Sequence, residues 1–207
     1  MSGIKLKVCG MRSPENIRGL CAVAPAYMGM IFWPGSTRYL STAVDRQQEP
    51  FQRVGVFVDA PVRDIRATIE QHQLDLLQLH GDETPEICAQ LKTIRPVIKA
   101  FSVGPAFDFD QLHAYEQACD YFLFDTKGPL PGGNGQGFDW TLLQGYPSKK
   151  PFFLSGGIGP NAIDAIRELL KSDLPLHAID VNSKFETAPA VKDLLLLQSF
   201  KNACDAL

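Results

Sequence analysis

Eight short apolar stretches recur along this chain at near-even intervals, beginning near residues 4, 27, 53, 76, 97, 121, 152 and 178. Each is followed by a helix signal. After Lys7-Val8-Cys9-Gly10 come Ser13 as an N-cap, Pro14 at the first helical position, and a helical run from Ile17 to Val23 closed by Pro25. The same order repeats in Tyr27–Phe32 with a short helix from Ser41 toward Gln48, Val54–Val58 with Pro61 to His72, and Leu76–His80 with Thr84 to Ile94. It continues in Val97–Phe101 with Phe107 to Ala118, Tyr121–Phe124 with Trp140 to Leu143, Phe152–Leu154 with Asn161 to Leu170, and Ala178–Val181 with Val191 to Ala203. Eight strand-helix units of about 25 residues each predict an α/β protein whose parallel sheet closes as a (β/α)8, or TIM, barrel. The rival, an open doubly wound sheet, more often stops at five or six strands. No linker or low-complexity tract interrupts the rhythm, so residues 1–207 are expected to form one domain.

The remaining bulk properties narrow the function classes. Net charge is −3, from 20 basic and 23 acidic residues. That balance offers no electrostatic footprint for nucleic acid or an anionic membrane. No apolar run is long enough to span a bilayer, and Met1 to Lys5 lacks a secretion signal. The five cysteines (Cys9, Cys21, Cys88, Cys119, Cys204) form no close-pair framework, so a cytoplasmic location is expected. The four histidines stand alone in sequence, without metal-ligand spacing, so no metal is expected. A barrel of this size suits either a monomer or a homodimer.

In such a barrel the chemistry sits where strands end, at the C-terminal face. Those ends carry Cys9, Arg38, His80, Asp125, Ser155-Gly156-Gly157 and Asp180-Val181-Asn182-Ser183. Gly156, Gly157, Asn182 and Ser183 follow strands seven and eight, the usual phosphate cradle of this architecture, which implies a phosphorylated small-molecule ligand. Tyr121, Leu123 and Asp125 share one strand face, and Cys9 stands across the mouth. A thiol and a carboxyl can serve as base and acid, in either assignment. The thiol needs help toward thiolate, for which Lys7, two residues earlier on the same face, is the candidate. Arg38 follows the second strand, either as a bidentate partner for a ligand carboxylate or as a solvated surface residue. Gln78 and His80 share a face of strand four, where His80 either contacts a ligand or satisfies neighbouring backbone. The Gly- and Pro-rich segment 127–139 reads either as a mobile lid or as a plain connection.

An ordered set of segments then resembles one known family, phosphoribosylanthranilate isomerase of tryptophan biosynthesis. The set comprises Lys7-Val8-Cys9-Gly10, Phe32-Trp33-Pro34 with Ser36-Thr37-Arg38-Tyr39, and Arg53-Val54-Gly55-Val56-Phe57-Val58. It continues through Gln78-Leu79-His80-Gly81, Asp125-Thr126-Lys127, Gly132-Gly133-Asn134-Gly135, Phe138-Asp139-Trp140, Leu154-Ser155-Gly156-Gly157 and Asp180-Val181-Asn182-Ser183. The resemblance implies an Amadori rearrangement of N-(5-phosphoribosyl)anthranilate to 1-(2-carboxyphenylamino)-1-deoxyribulose 5-phosphate, without cofactor or metal. It implies Asp125 as general acid, Cys9 as general base, Arg38 on the anthranilate carboxylate, and the Gly156-Gly157 and Asn182-Ser183 loops on the phosphate. Arg12 stands where the family often has threonine. Lys184 stands where it commonly has glycine, and either lends charge to the phosphate or points to solvent. A related histidine-pathway aldose isomerase would need an aspartate at the end of strand five, which Val97–Phe101 lacks. A non-catalytic phosphosugar-binding barrel would keep Gly156-Gly157 but need neither Cys9 nor Asp125.

Overall fold

In the computed structural model, which describes residues 4–126, 128 and 138–207, eight parallel strands close on themselves in chain order. They are β1 Lys5–Val8, β2 Tyr27–Ile31, β3 Gln52–Phe57, β4 Leu76–Leu79, β5 Val97–Val103, β6 Tyr121–Thr126, β7 Phe152–Leu154 and β8 Leu176–Val181. The closure is made by β1 on β8, with Lys7 opposite Asp180 and Val8 opposite Val181. Alternation decides which side chains face the lumen. Tyr27, Val54, Leu76, Ile98, Ala100, Leu123, Phe153 and Ala178 pack together as an inner plug. The opposite faces (Leu6, Val8, Met28, Met30, Leu77, Leu79, Phe122 and Phe124 among them) join the helices in the outer core. The plug seals the lower barrel, so only its upper rim is left for polar side chains.

The helices α1 Pro14–Val23, α2 Val62–His72, α3 Pro85–Lys92, α4 Ile163–Leu169 and α5 Leu194–Asp205 form part of the outer ring. The start signals act as read: Ser13 Oγ accepts from Asn16 N–H at 3.4 Å, and Pro14 opens α1. Five helical expectations need correction. Residues 41–48 form no helix. The carbonyls of Val44 and Asp45, which a helix would have spent internally, instead accept from the guanidinium of Arg53 at 2.9 and 3.1 Å. Arg53 is wholly buried and also holds Glu49. The expected helix over 107–118 is a 3₁₀ run, Phe109–Tyr115, and that over 140–143 is another, Trp140–Gly145. Phe109, Leu112 and Tyr115 are spaced by three, which aligns them on one side of a 3₁₀ helix rather than an α-helix. Trp140, Leu143 and Tyr146 repeat that spacing. Asn161–Leu170 splits into a 3₁₀ turn, Pro160–Ala162, and α4. Val191–Lys192 is no helix start; it is strand β10, antiparallel to β9 Glu186–Ala188, and α5 begins only after the Asp193 cap. Apart from 128, 138 and 139, the segment read as a lid or connection lies outside the described residues, as do Lys127 and Gly132-Gly133-Asn134-Gly135 of the resemblance.

Candidate active site

The upward continuation of the lumen-facing rows places Lys7 and Cys9 from β1, Gln78 and His80 from β4, Asp125 from β6, Ser155 after β7, and Asp180 and Asn182 from β8 around one rim. Strand register alone produces this grouping. Cys9 is 5% exposed, its N–H donating to Val181 O at 2.9 Å. Its sulfur lies where a Cβ on Gly29 would be only 2.6 Å away. The glycine in the middle of β2 thus makes the room in which the thiol sits. An isolated glycine in an apolar strand is the sequence signal for such an approach.

Lys7 donates to Asp180 Oδ1 at 2.9 Å, with both side chains buried. Burial works against the ammonium, but Asp180 and Cys9 beside it outweigh that and hold its proton more tightly than usual. Ser155 Oγ contacts the other Asp180 oxygen at 3.4 Å. Burial pushes the Cys9 thiol up, while Lys7 draws it down and Asp180 opposes Lys7. Lys192 also draws it down. Lys192 and Glu186, on the β9–β10 hairpin, are site residues that sequence spacing did not single out.

Arg38 is neither free nor at the surface. Its Nε donates to Glu186 Oε1 at 2.9 Å and its Nη2 to Oε2 at 2.7 Å. Lys192 Nζ reaches Glu186 Oε1 at 2.5 Å and Asn182 Oδ1 at 2.7 Å. Gly10, at φ 77°, lies so close to this cluster that a Cβ would meet Arg38 Cδ at 2.7 Å and Asn182 Oδ1 at 2.8 Å. Cys9 therefore stands in a cage of three cations, Lys7, Lys192 and Arg38, matched by two carboxylates, Asp180 and Glu186.

Across the lumen, Asp125 is 5% exposed. Its Oδ1 accepts from the N–H of Thr126 at 2.8 Å, and its Oδ2 lies 3.3 Å from His80 Nε2. Gln78 is buried, its amide nitrogen 2.7 Å from His80 Nδ1, so it meets His80 rather than the open lumen. Gly156 and Gly157, at φ 92° and 63°, follow β7. A side chain at Gly156 would strike Thr126 and approach Asp125 Oδ1 to 3.1 Å. Among the described residues no acceptor takes the N–H of Gly156 or Gly157. Asn182 and Ser183 lead into a 3₁₀ turn, Ser183–Phe185, half-exposed at the same rim. Lys184 in that turn is exposed, its stem beside Gly159. A cavity of about 810 Å³ opens from His80 over the ends of β3 to β5, with Ser102, Phe101, Phe107 and Tyr115 in its wall. Among the described residues no group of three metal-ligating side chains occurs, and no helix is long and apolar enough to cross a membrane.

Residues 6–203 match the family model of N-(5'phosphoribosyl)anthranilate (PRA) isomerase. A curated N-(5'-phosphoribosyl)anthranilate isomerase from Phocaeicola vulgatus is 43% identical over 198 residues, covering 95% of this chain and 96% of its own. The crystal structure of phosphoribosyl anthranilate isomerase from Thermotoga maritima superposes with a TM-score of 0.84 at 30% identity, covering 99% of this chain and 100% of that one. A phosphoribosyl anthranilate isomerase solved with reduced 1-(o-carboxyphenylamino)-1-deoxyribulose 5-phosphate gives a TM-score of 0.82 at 27% identity, with coverage of 99% and 100%.

Proposed function

Since this chain belongs to the phosphoribosylanthranilate isomerase family of tryptophan biosynthesis, we propose that it performs the isomerisation as an Amadori rearrangement, with Asp125 as general acid and Cys9 as general base. Asp125 passes its proton to the ribose ring oxygen. The bond from that oxygen to C1 breaks, and the anthranilate nitrogen lone pair forms the C1=N bond of a protonated Schiff base. The Cys9 thiolate then takes the proton from C2, giving the enolamine, which tautomerises to the ketone. One proton has left Asp125 and one has reached Cys9, so a transfer between them through solvent restores the enzyme.

The phosphate rests on the N–H groups of Gly156 and Gly157 and on Asn182 and Ser183. Glu186 occupies the Nε–Nη2 edge of Arg38, which leaves Nη1 to meet the anthranilate carboxylate. His80 borders the sugar, and Gln78 reaches it only through His80. Burial and Asp180 hold the Cys9 thiol above its ordinary range in the free enzyme, and Lys7 and Lys192 offset part of that cost, so they stabilise the thiolate when it forms. The reaction uses neither metal nor cofactor, the ligand is a phosphorylated sugar and not nucleic acid, and the working compartment is the cytoplasm.

The observation that carries this reading is the placement of Cys9 and Asp125 at the rim of one closed barrel, with the donor-rich loops after β7 and β8 between them. The test is turnover of freshly made phosphoribosylanthranilate, followed by loss of substrate fluorescence, in wild type, Cys9→Ala and Asp125→Asn. A positioned acid or base contributes about 10²–10⁴-fold, so each variant should fall by at least 10²-fold with the fold retained. A loss below tenfold in either variant refutes that residue's role.

A further inference from the structure

Among the buried polar atoms at the barrel rim without a hydrogen-bond partner among the described residues are Gln78 Oε1 and His80 Nε2, with Thr126 Oγ1 beside Gly156. Gln78 and His80 sit along one chain of contacts. Gln78 Nε2 is 2.7 Å from His80 Nδ1, and His80 Nε2 is 3.3 Å from Asp125 Oδ2, close but too poorly aligned for a hydrogen bond. An amide nitrogen can only donate, so Nδ1 must accept. The single proton of a neutral imidazole then belongs on Nε2, facing Asp125. With its Nδ1 lone pair occupied, His80 cannot become an imidazolium without breaking the bond to Gln78.

We propose that Gln78 is a positioning residue that locks the tautomer of His80, and that the locked His80 keeps the acid proton on Asp125 for the sugar. The proposal rests on Asp125 being the general acid. Its logic is an exclusion and a reward. An Nε2–H imidazole has no lone pair toward Asp125, so it cannot take the carboxyl proton, and the ring oxygen is the only acceptor left. When the proton has gone, the carboxylate accepts from Nε2–H, and the slack 3.3 Å contact tightens as charge develops.

The other groups facing this pair do not supply the same control. Asp180, on β8, is bound to Lys7 and Ser155. Cys9 lies beyond Lys7 on β1. Lys99 and Glu83 pair with each other behind the turn at Gly81. Asp59, after β3, accepts from Asp82 N–H. β2, β5 and β7 present Gly29, Ser102 and Ser155, which carry no charge.

Three variants and one spectrum test the idea. Gln78→Glu replaces the donor by an acceptor, which draws the imidazole proton onto Nδ1 and leaves the Nε2 lone pair facing Asp125. Its kcat should fall at least tenfold at pH 7, with KM within about threefold. Gln78→Met removes the lock at similar volume. It frees Nε2 to take the Asp125 proton, so its kcat should also fall at least tenfold, with KM within about threefold. In wild type at pH 8, ¹⁵N-histidine spectra, assigned by the signal missing from His80→Asn, should show the Nε2–H tautomer. An Nδ1–H tautomer of His80 in that spectrum overturns the proposal, whether or not the variants fold. So does a folded Gln78→Glu enzyme with kcat within twofold of wild type. Undiminished turnover by Asp125→Asn instead removes the general acid itself, an outcome separable because the spectrum is read without substrate.

Discussion

Replacing Gly29 with alanine tests whether the position of the Cys9 thiol, and not only its presence, matters. A Cβ at residue 29 would sit 2.6 Å from Cys9 Sγ, 3.2 Å from its Cβ and 3.0 Å from its Cα. Uncrowded carbon contacts lie at about 3.5–4.0 Å, so the sulfur must retreat by roughly 1 Å. Turning the thiol relieves Sγ but not Cα, so β1 and β2 must also part by several tenths of an ångström. Overpacking of this kind costs about 1–3 kcal/mol of stability. A reacting group misplaced by about 1 Å loses on the order of 10²-fold in rate, about 2.7 kcal/mol of barrier. Gly55→Ala is the control. Its Cβ would crowd Leu74 and, at 2.8 Å, Phe57, away from the thiol. Urea midpoints and kcat from the fluorescence assay separate the two. Both variants should lose stability, and only Gly29→Ala should lose kcat. A Gly29→Ala enzyme destabilised like Gly55→Ala, yet with kcat within threefold of wild type, refutes the reasoning.

Two further outcomes concern stability. Burial among Tyr27, Tyr121 and Phe153, with Lys5 nearby, pushes the pKa of His177 down to about 4. The unfolded chain protonates near 6.5 and so binds more protons between about pH 6.5 and 4; stability is therefore lost as pH falls through that window, by of order 2 kcal/mol after allowance for partial exposure. Urea midpoints at pH 7 and 4.5 should converge in His177→Gln, and an unchanged pH dependence would count against this assignment. Arg53→Met strands the buried Glu49 carboxylate and the carbonyls of Val44, Asp45 and His72. It should cost about 3–5 kcal/mol, and Glu49→Gln added to it should restore part; a measured loss below about 1 kcal/mol would contradict the role given to Arg53.

The barrel was legible because each strand announces itself twice, by its apolar alternation and by the cap or turn that ends it. Ser13 with Pro14 is one such announcement, and Gly156-Gly157 another. The site was legible in part for the same reason: Cys9, His80 and Asp125 project from strand ends, and alternation alone tells which way they face. What failed were contacts joining distant residues. Arg38 and Glu186 are 148 residues apart, and no local pattern indicates that one will occupy the other. Arg53 likewise overrides the weak helical tendency of residues 41–48 from outside that segment. The spacing by three at Phe109, Leu112 and Tyr115 is present in the sequence, but over so short a run it differs little from the 3.6-residue period of an α-helix.

The grip of Arg53 on residues 44–49 has an evolutionary consequence. Apart from Glu49, it recognises carbonyl oxygens, which every amino acid supplies identically. The wall of the barrel between β2 and β3 is therefore closed by a contact indifferent to most of the side chains it holds. Val44 still belongs to the core and Arg46 pairs with Asp75, but the exposed Ala43, Asp45, Gln47 and Gln48 are free to drift among relatives as long as Arg53 and Glu49 persist. In a library of random substitutions Arg53 and Glu49 should be intolerant, Val44 restricted to apolar residues, and Ala43, Asp45, Gln47 and Gln48 permissive.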